Sequence, residues 1–362
     1  MKHQIANRWS AFILLSAILI TTSSCKKEEV VIADEILHPV KLEVPANFPK
    51  FVDDPDNPLT KEGIELGRLL FYDTRLSGNN TLSCGSCHRQ AIAFSDGIAL
   101  NNNGVSGKTL PRHSPTLINL AWTTNGLFWD GGSTNLESQA FAPITNADEM
   151  HQNLMELEFE LKQVPDYVKR FKQVFNVDVK SAAIVKALAQ FQRSLVSADS
   201  RYDQYIRKEN NISLSTEELM GLNIVNEKCK RCHSGELFTD NNYHNNGLDS
   251  NFSNADHEGL YQGRYRVTFN PSDLGKFKTP TLRNVLLTAP YMHDGRFKTI
   301  DEVLTHYGNG IKPSATTDHL LYQNQGKLGI SLSATEKSAI VAFLKTLTDE
   351  KFITNKKFKN PF

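Results

Sequence analysis

Two short stretches carry the clearest chemistry, Cys84-Gly85-Ser86-Cys87-His88 and Cys229-Lys230-Arg231-Cys232-His233. Each reads C-x-x-C-H, the spacing at which two thiols add to the vinyl groups of one haem while the next residue, histidine, takes its iron. They use four of the five cysteines, and His233 falls 145 residues after His88, which leaves room for a small domain around each haem. Zinc ribbons or disulfides are the competing uses of such pairs. A four-cysteine zinc site needs two pairs brought together and has no use for a histidine directly after each. The motifs therefore point to two covalently bound haem c groups, with His88 and His233 as proximal iron ligands and Cys84, Cys87, Cys229 and Cys232 as thioether links.

The fifth cysteine sits where a secretory signal ends. Lys2 and Arg8 precede an apolar run from Ala11 to Ile20, then the small residues Thr21-Thr22-Ser23-Ser24 and Cys25. The run is too short to span a bilayer and reads as a cleaved signal over 1–25. A cysteine at that place resembles the lipidated first residue of bacterial lipoproteins, although the usual Leu three places before it is absent; the alternative is ordinary cleavage with a spare thiol. Either way the expectation is an exported protein, periplasmic or held at the outer membrane through lipid on Cys25, which fits covalent haem attachment outside the cytoplasm.

Elements able to position two haems follow from the rest of the chain. Apolar residues make up 40% and charged residues 22%, a globular composition, and Lys plus Arg equals Asp plus Glu at 40 each, which removes any net-charge argument for nucleic acid. Residues 26–58 are charged and then Pro-rich, a tether and lead-in. From Thr60 apolar residues recur at helical spacing until Asp73-Thr74-Arg75-Leu76-Ser77-Gly78 stops them. Residues 95–116 read as a Gly/Asn/Pro loop. Helices are predicted from about 136 to 141 and over 152–163, 165–175 and 180–198. Capping boxes at Ser215-Thr216-Glu217-Glu218 and Ser333-Ala334-Thr335-Glu336 start two more. Strand alternation is scarce. The expected fold is mostly α, with two cytochrome c-like domains each around one haem c, 59–208 and 209–350, and a tail over 351–362.

At this level of detail the chain resembles the bacterial di-haem cytochrome c peroxidases and their relative, the di-haem enzyme that matures methylamine dehydrogenase. The shared stretches run from about residue 60 to 348: Leu69-Leu70-Phe71-Tyr72-Asp73-Thr74-Arg75-Leu76-Ser77, the first haem motif, Ser114-Pro115-Thr116-Leu117-Ile118-Asn119, Phe128-Trp129-Asp130-Gly131, Glu137-Ser138-Gln139-Ala140, Glu149-Met150, Phe277-Lys278-Thr279-Pro280-Thr281-Leu282-Arg283-Asn284 and Ala289-Pro290-Tyr291-Met292-His293-Asp294-Gly295. The resemblance implies a peroxidatic N-terminal haem fed with electrons by the C-terminal one, the electrons coming from a small cytochrome c or copper protein. It implies Glu149 as the distal proton acceptor for H2O2, Gln139 beside it, Pro143 at the haem edge, Trp129 between the haems, and often a homodimer. Taken alone, Glu149 reads as a helix-start acid and Trp129 as a core aromatic.

Three positions depart from the family pattern. A histidine about sixteen residues after the first proximal His, which caps the resting iron in classical members, is replaced by Gly104-Val105, so the N-terminal iron is expected to be open. Fourteen residues after His293 stands Tyr307, not Met, as in the maturation enzyme; Tyr307 is the expected far ligand of the C-terminal haem iron, with Met292 as the soft alternative. The family often holds calcium between the haems, and Thr288 and Pro290 match two carbonyl contributors, but the third position is His113 where Asn is usual. The leading function is a cytochrome c peroxidase; its rivals are a high-valent oxidase acting on a protein substrate, and a di-haem electron-transfer cytochrome without peroxide chemistry, against which Glu149 and Gln139 argue.

Overall fold

Short polar residues set where the helices begin, and glycines set how closely they cross. Thr60 accepts the Gly63 N–H at 3.0 Å and starts α1 (Lys61–Tyr72). In chain order follow α2 (Cys84–Cys87), α3 (Leu136–Thr145), α4 (Leu154–Lys162), α5 (Pro165–Phe175), α6 (Ser181–Arg193), α7 (Arg201–Ile206), α8 (Thr216–Lys228), α9 (Tyr265–Thr268), α10 (Ile300–Thr305), α11 (Ala334–Thr346) and α12 (Glu350–Thr354). Reciprocal capping boxes at Ser215/Glu218 and Ser333/Glu336 open α8 and α11, as the sequence predicts. The computed structural model describes residues 36–98, 104–253, 261–323 and 326–362. The predicted signal and Cys25 lie outside the described residues. The only regular sheet among those described is β1 (Tyr243–His244) against β2 (Phe277–Lys278), antiparallel with Tyr243 opposite Lys278.

One crossing is built twice. A Cβ on Gly67 of α1 would lie 2.0 Å from the Ala187 carbonyl oxygen and 2.8 Å from Phe191 Cβ on α6. On Gly221 of α8 it would lie 1.9 Å from the Ala339 carbonyl oxygen and 2.8 Å from Phe343 Cβ on α11. Only glycine lets the backbones approach this far. Each crossing anchors a separate apolar core. The first contains Leu66, Leu70, Phe71, Phe94 and Phe191 and packs against Cys84; the second contains Ile224, Val225, Phe238, Ile340 and Phe343 and packs against Cys229.

Three local outcomes differ from expectation. Helix α6 stops at Arg193 and not 198, because Asn119 captures the segment that follows: its N–H donates to Leu195 O and its Oδ1 accepts from Ser197 N, both at 2.9 Å. Helix α3 runs through Pro143 to Thr145, although Pro143 has no N–H for the Gln139 carbonyl. Residues 351–362 are no loose tail. Phe352 and Phe358 are buried in the first core, and Tyr72 Oη donates to Phe358 O at 2.8 Å.

Candidate functional site

Each C-x-x-C-H stretch ends a helix and turns its histidine against a backbone carbonyl. His88 Nδ1 lies 2.8 Å from Phe94 O, and His233 Nδ1 lies 3.2 Å from Phe238 O. A carbonyl can only accept, so Nδ1 carries the proton and Nε2 keeps the lone pair that an iron needs. Burial holds both rings below the ordinary histidine range, against the pull of those carbonyls. None of the four motif cysteines is in a disulfide. Burial pushes Cys84 up to about 12 and Cys229 to about 11. Among the described residues no group of three or more His, Cys, Asp or Glu is placed to hold a metal ion, so the two cysteine pairs do not meet as a zinc ribbon would require.

The carbonyls that set the tautomers are fixed by a second repeated device. Phe94 and Phe238 take left-handed φ of 58° and 51°. Thr116 Oγ1 donates to Ala93 O at 2.5 Å and Thr281 Oγ1 to Leu237 O at 2.6 Å, one residue before each phenylalanine. These threonines belong to Pro115-Thr116-Leu117-Ile118-Asn119 and Pro280-Thr281-Leu282-Arg283-Asn284, and both closing asparagines are left-handed, φ 57° and 55°. A third pair of turns matches Phe128-Trp129-Asp130-Gly131 with Met292-His293-Asp294-Gly295; Phe128 and Met292 have φ 63° and 74°. Trp129 and His293 are thus counterparts. Lys278 N donates to Trp129 O at 2.8 Å and His113 N to His293 O at 2.9 Å, so each turn is held by the segment preceding the other half's Pro-Thr. The P-T-L-x-N and x-D-G repeats were the sequence signal for this exchange.

Between the halves lies a cavity of about 310 Å³, mostly apolar, reaching from Trp129, Gln139 and Pro115 to Cys229, His233 and Tyr307. Among the described residues five buried polar side-chain atoms have no hydrogen-bond partner, and two of them, Gln139 Oε1 and His293 Nε2, belong to residues that line this cavity. His293 stacks flat on Phe277, centroids 3.6 Å apart. At the second motif, whose Cys229, Cys232 and His233 line the cavity, thiols outside any disulfide, an iron-ready tautomer, an apolar slot and unspent polar atoms fit a covalently held haem. Tyr307 and Met292 line the same cavity. Tyr307 stands in a π-turn, His306–Gly310, directly after α10. Burial pushes its phenol up to about 12, and a bond to the Asn246 side chain pulls the other way. Asn246 Nδ2 also donates to Met292 Sδ at 3.4 Å, so one amide touches both candidate ligands.

Two charged groups on the wall have no role in the sequence reading. His244 lies between Asp240, 2.8 Å from Nε2, and Asp318, 2.5 Å from Nδ1. Burial opposes its charge, yet the two carboxylates push it up to about 12. Lys278 donates from Nζ to Asn125 O and Asn241 O at 2.9 Å each and sits 4.6 Å from the Tyr243 ring centroid; burial brings it down to about 8.

Glu149 stands on the turn after α3, and Met150 N donates to Pro143 O at 3.1 Å, which draws the turn back over the helix. Gln139 and Pro143 lie one turn apart on one face of α3. Burial raises the Glu149 carboxyl above the usual range, opposed by Asn146 Nδ2, which donates to Oε1 at 2.9 Å. The segment at 104–105 packs directly on it: Val105 N donates to Glu149 O at 2.6 Å, and a Cβ on Gly104 would lie 1.7 Å from Asp148 O. Trp129 Nε1 donates to His113 O at 2.8 Å. His113, Thr288 and Pro290 line the cavity together, but the His113 ring is turned to Asp96, with Nδ1 2.7 Å from Oδ1.

Two C-x-x-C-H sites on one repeated scaffold, joined by reciprocal turns across an apolar cavity, define a protein of the di-haem c-type class. Residues 61–211 match the family model described as di-haem cytochrome c peroxidase. The methylamine utilization protein MauG of Methylorubrum extorquens is 35% identical over 308 residues, 83% of each chain. Cytochrome-c peroxidase IdrP1 of Pseudomonas sp. strain SCT is 34% identical over 322 residues, 81% of this chain and 82% of that one. A solved structure of a MauG-like protein associated with microbial copper homeostasis superposes with a TM-score of 0.80 at 34% identity, covering 89% of this chain and 99% of its own. The chain belongs to the di-haem cytochrome c peroxidase family.

Proposed function

We propose that this protein reduces H2O2 to two waters, taking two protons and two electrons, the electrons coming from a small periplasmic redox protein. Residues 1–25 would export it and lipid on Cys25 would tether it. When bound at His88 and His233, haem c supplies the iron that exchanges electrons with peroxide and with the donor. The reading rests on Glu149. It is a half-buried carboxylate whose pKa desolvation raises, held by Asn146 through Oε1 so that Oε2 is left for a proton. In this role it accepts a proton from one peroxide oxygen and returns it to the departing one. Gly104, at the place of the family's capping histidine, has no space even for a Cβ, which favours an N-terminal iron open to peroxide without prior reduction. Trp129, tied to His113 O, lies on the cavity wall where a bridge for electrons is needed. Electron entry is assigned to the C-terminal side. There the motif exposes Lys230 and Arg231, a basic face suited to an acidic face of a donor, whereas Gly85-Ser86 carry no charge.

Peroxide turnover with a reduced cytochrome c, measured in wild type and Glu149→Gln, tests this. Loss of a proton acceptor is expected to lower kcat by about 10²–10⁴-fold with both haem spectra retained. An unchanged rate removes Glu149 from the role. One observation favours a second reading, oxidation of a protein substrate through high-valent iron: Tyr307 stands where a methionine is usual, and a hard anionic donor favours oxidised iron. No peroxide turnover in wild type with any small donor would shift the assignment to it.

A further inference from the structure

The resemblance to di-haem peroxidases implies a calcium ion between the haems, and the residues at that place do not fit one. Calcium takes six to eight oxygen ligands. Here Thr288 and Pro290 offer neutral carbonyls, while the third position is an imidazole whose two nitrogens are both engaged. His113 Nδ1 faces Asp96 Oδ1 at 2.7 Å and Ile98 O at 3.3 Å, groups that only accept. Nε2 lies 3.3 Å from Ser95 Oγ, whose hydroxyl also lies 2.9 Å from Ser114 O. Nδ1 must donate to its two acceptors and Nε2 is taken up by the hydroxyl, so the ring presents no free lone pair to a cation. Asp96 is equally committed: Oδ2 accepts from Ser114 N at 3.1 Å and Oδ1 from Ile98 N at 3.2 Å besides the ring. Burial alone would raise its pKa, but the bond and charge of His113 hold it below the usual range. The pair is 4% and 1% exposed, so water screens it little.

We infer that no calcium ion sits between the haem sites of this chain, and that the hydrogen-bonded Asp96–His113 pair holds its place. A ring with both nitrogens engaged offers a dication neither an oxygen nor a lone pair, and the carboxylate that could attract one is already held by the ring and two backbone N–H groups. The pair also acts on the two counterpart turns. Its backbone carbonyl holds Trp129 Nε1 and its N–H holds His293 O, so fixing the ring fixes the residue from which both hang. His113 is thereby a positioning residue, whichever reaction the haems perform.

Elemental analysis of the purified di-haem protein, with optical and EPR spectra before and after EGTA, tests this. The wild type is expected to carry no stoichiometric calcium and to show unchanged spectra with chelator. His113→Asn removes the ring that holds Asp96 Oδ1 and supplies an amide oxygen. It is expected to take up about one calcium per chain and to gain EGTA-sensitive spectra that added calcium restores. Asp96→Asn/His113→Asn, which also removes the carboxylate, keeps a folded comparison if the single variant is unstable, and is expected to bind calcium more weakly than His113→Asn. One tightly held calcium in the wild type, lost to EGTA with a spectral change, overturns the inference. So does a folded His113→Asn that takes up none.

Discussion

Removing the Arg283 side chain should weaken both the fold and one haem site, by an amount the structure sets. Arg283 is 1% exposed and binds Asp203, 0% exposed, through two parallel bonds of 2.8 Å. Asp203 also accepts from Ser200 N at 2.9 Å and Ser200 Oγ at 2.6 Å, so Arg283→Met leaves a buried carboxylate without its counter-charge. Breaking one side of such a pair costs about 3–5 kcal/mol. Unfolding entropy of roughly 2.1 cal/mol/K per residue over Ile36–Phe362 is about 0.7 kcal/mol/K, so Tm should fall by about 4–7 °C. The loop of the second haem motif should loosen as well, because Arg283 Nε donates to Glu236 O at 2.7 Å, two residues before the carbonyl that holds His233. Ile118 occupies the matching place in the first half, so the N-terminal haem spectrum should not change. Thermal melts followed by circular dichroism, beside optical spectra of the two haems, read both effects. Arg283→Met/Asp203→Asn removes both charges and should recover at least half of the lost stability. A single variant costing less than about 1 kcal/mol, or a double variant no more stable than the single, would refute the account of the pair.

Two further outcomes are expected. Tyr307→Phe should alter the spectrum of the C-terminal haem while leaving the N-terminal one intact, and an unchanged C-terminal spectrum would hand the ligand role to Met292, which shares Asn246 with it. His244 gives a pH dependence. Its folded pKa is raised to about 12 from an unfolded value near 6.5, so its contribution to stability is fully present below about pH 6.5 and is lost as pH rises toward 12. The Tm gap between wild type and His244→Gln, measured from pH 6 to 9, should therefore narrow as pH increases; a gap that widens contradicts protonation between Asp240 and Asp318.

Much of the scaffold was legible because its signals are local. The boxes at Ser215 and Ser333 are complete within four residues, and the α5 expectation matches Pro165–Phe175 because proline at the first position and an apolar stripe need no distant partner. Where a remote residue competed, local reading failed. Asn119 ended α6 early from a long way back in the chain, and Phe352 and Phe358 joined a core otherwise built from residues 66–195. His113 shows the same limit at the site. Its type alone removes an oxygen from the calcium set, but that its ring faces Asp96 is a matter of packing.

By itself the sequence determined the covalent chemistry: two C-x-x-C-H motifs dictate where thiols and a nitrogen ligand stand, since all three lie within five residues. It also determined the family, through motifs whose order survives translation into any fold. Only the tertiary structure decided how the two sites are tied to each other and to their surroundings. The reciprocal hold on Trp129 and His293, the closeness of Gly104 to Glu149 and the contact between Asp96 and His113 all join separate segments of the chain. Such contacts depend on how helices cross, and that is fixed where Gly67 and Gly221 let backbones meet.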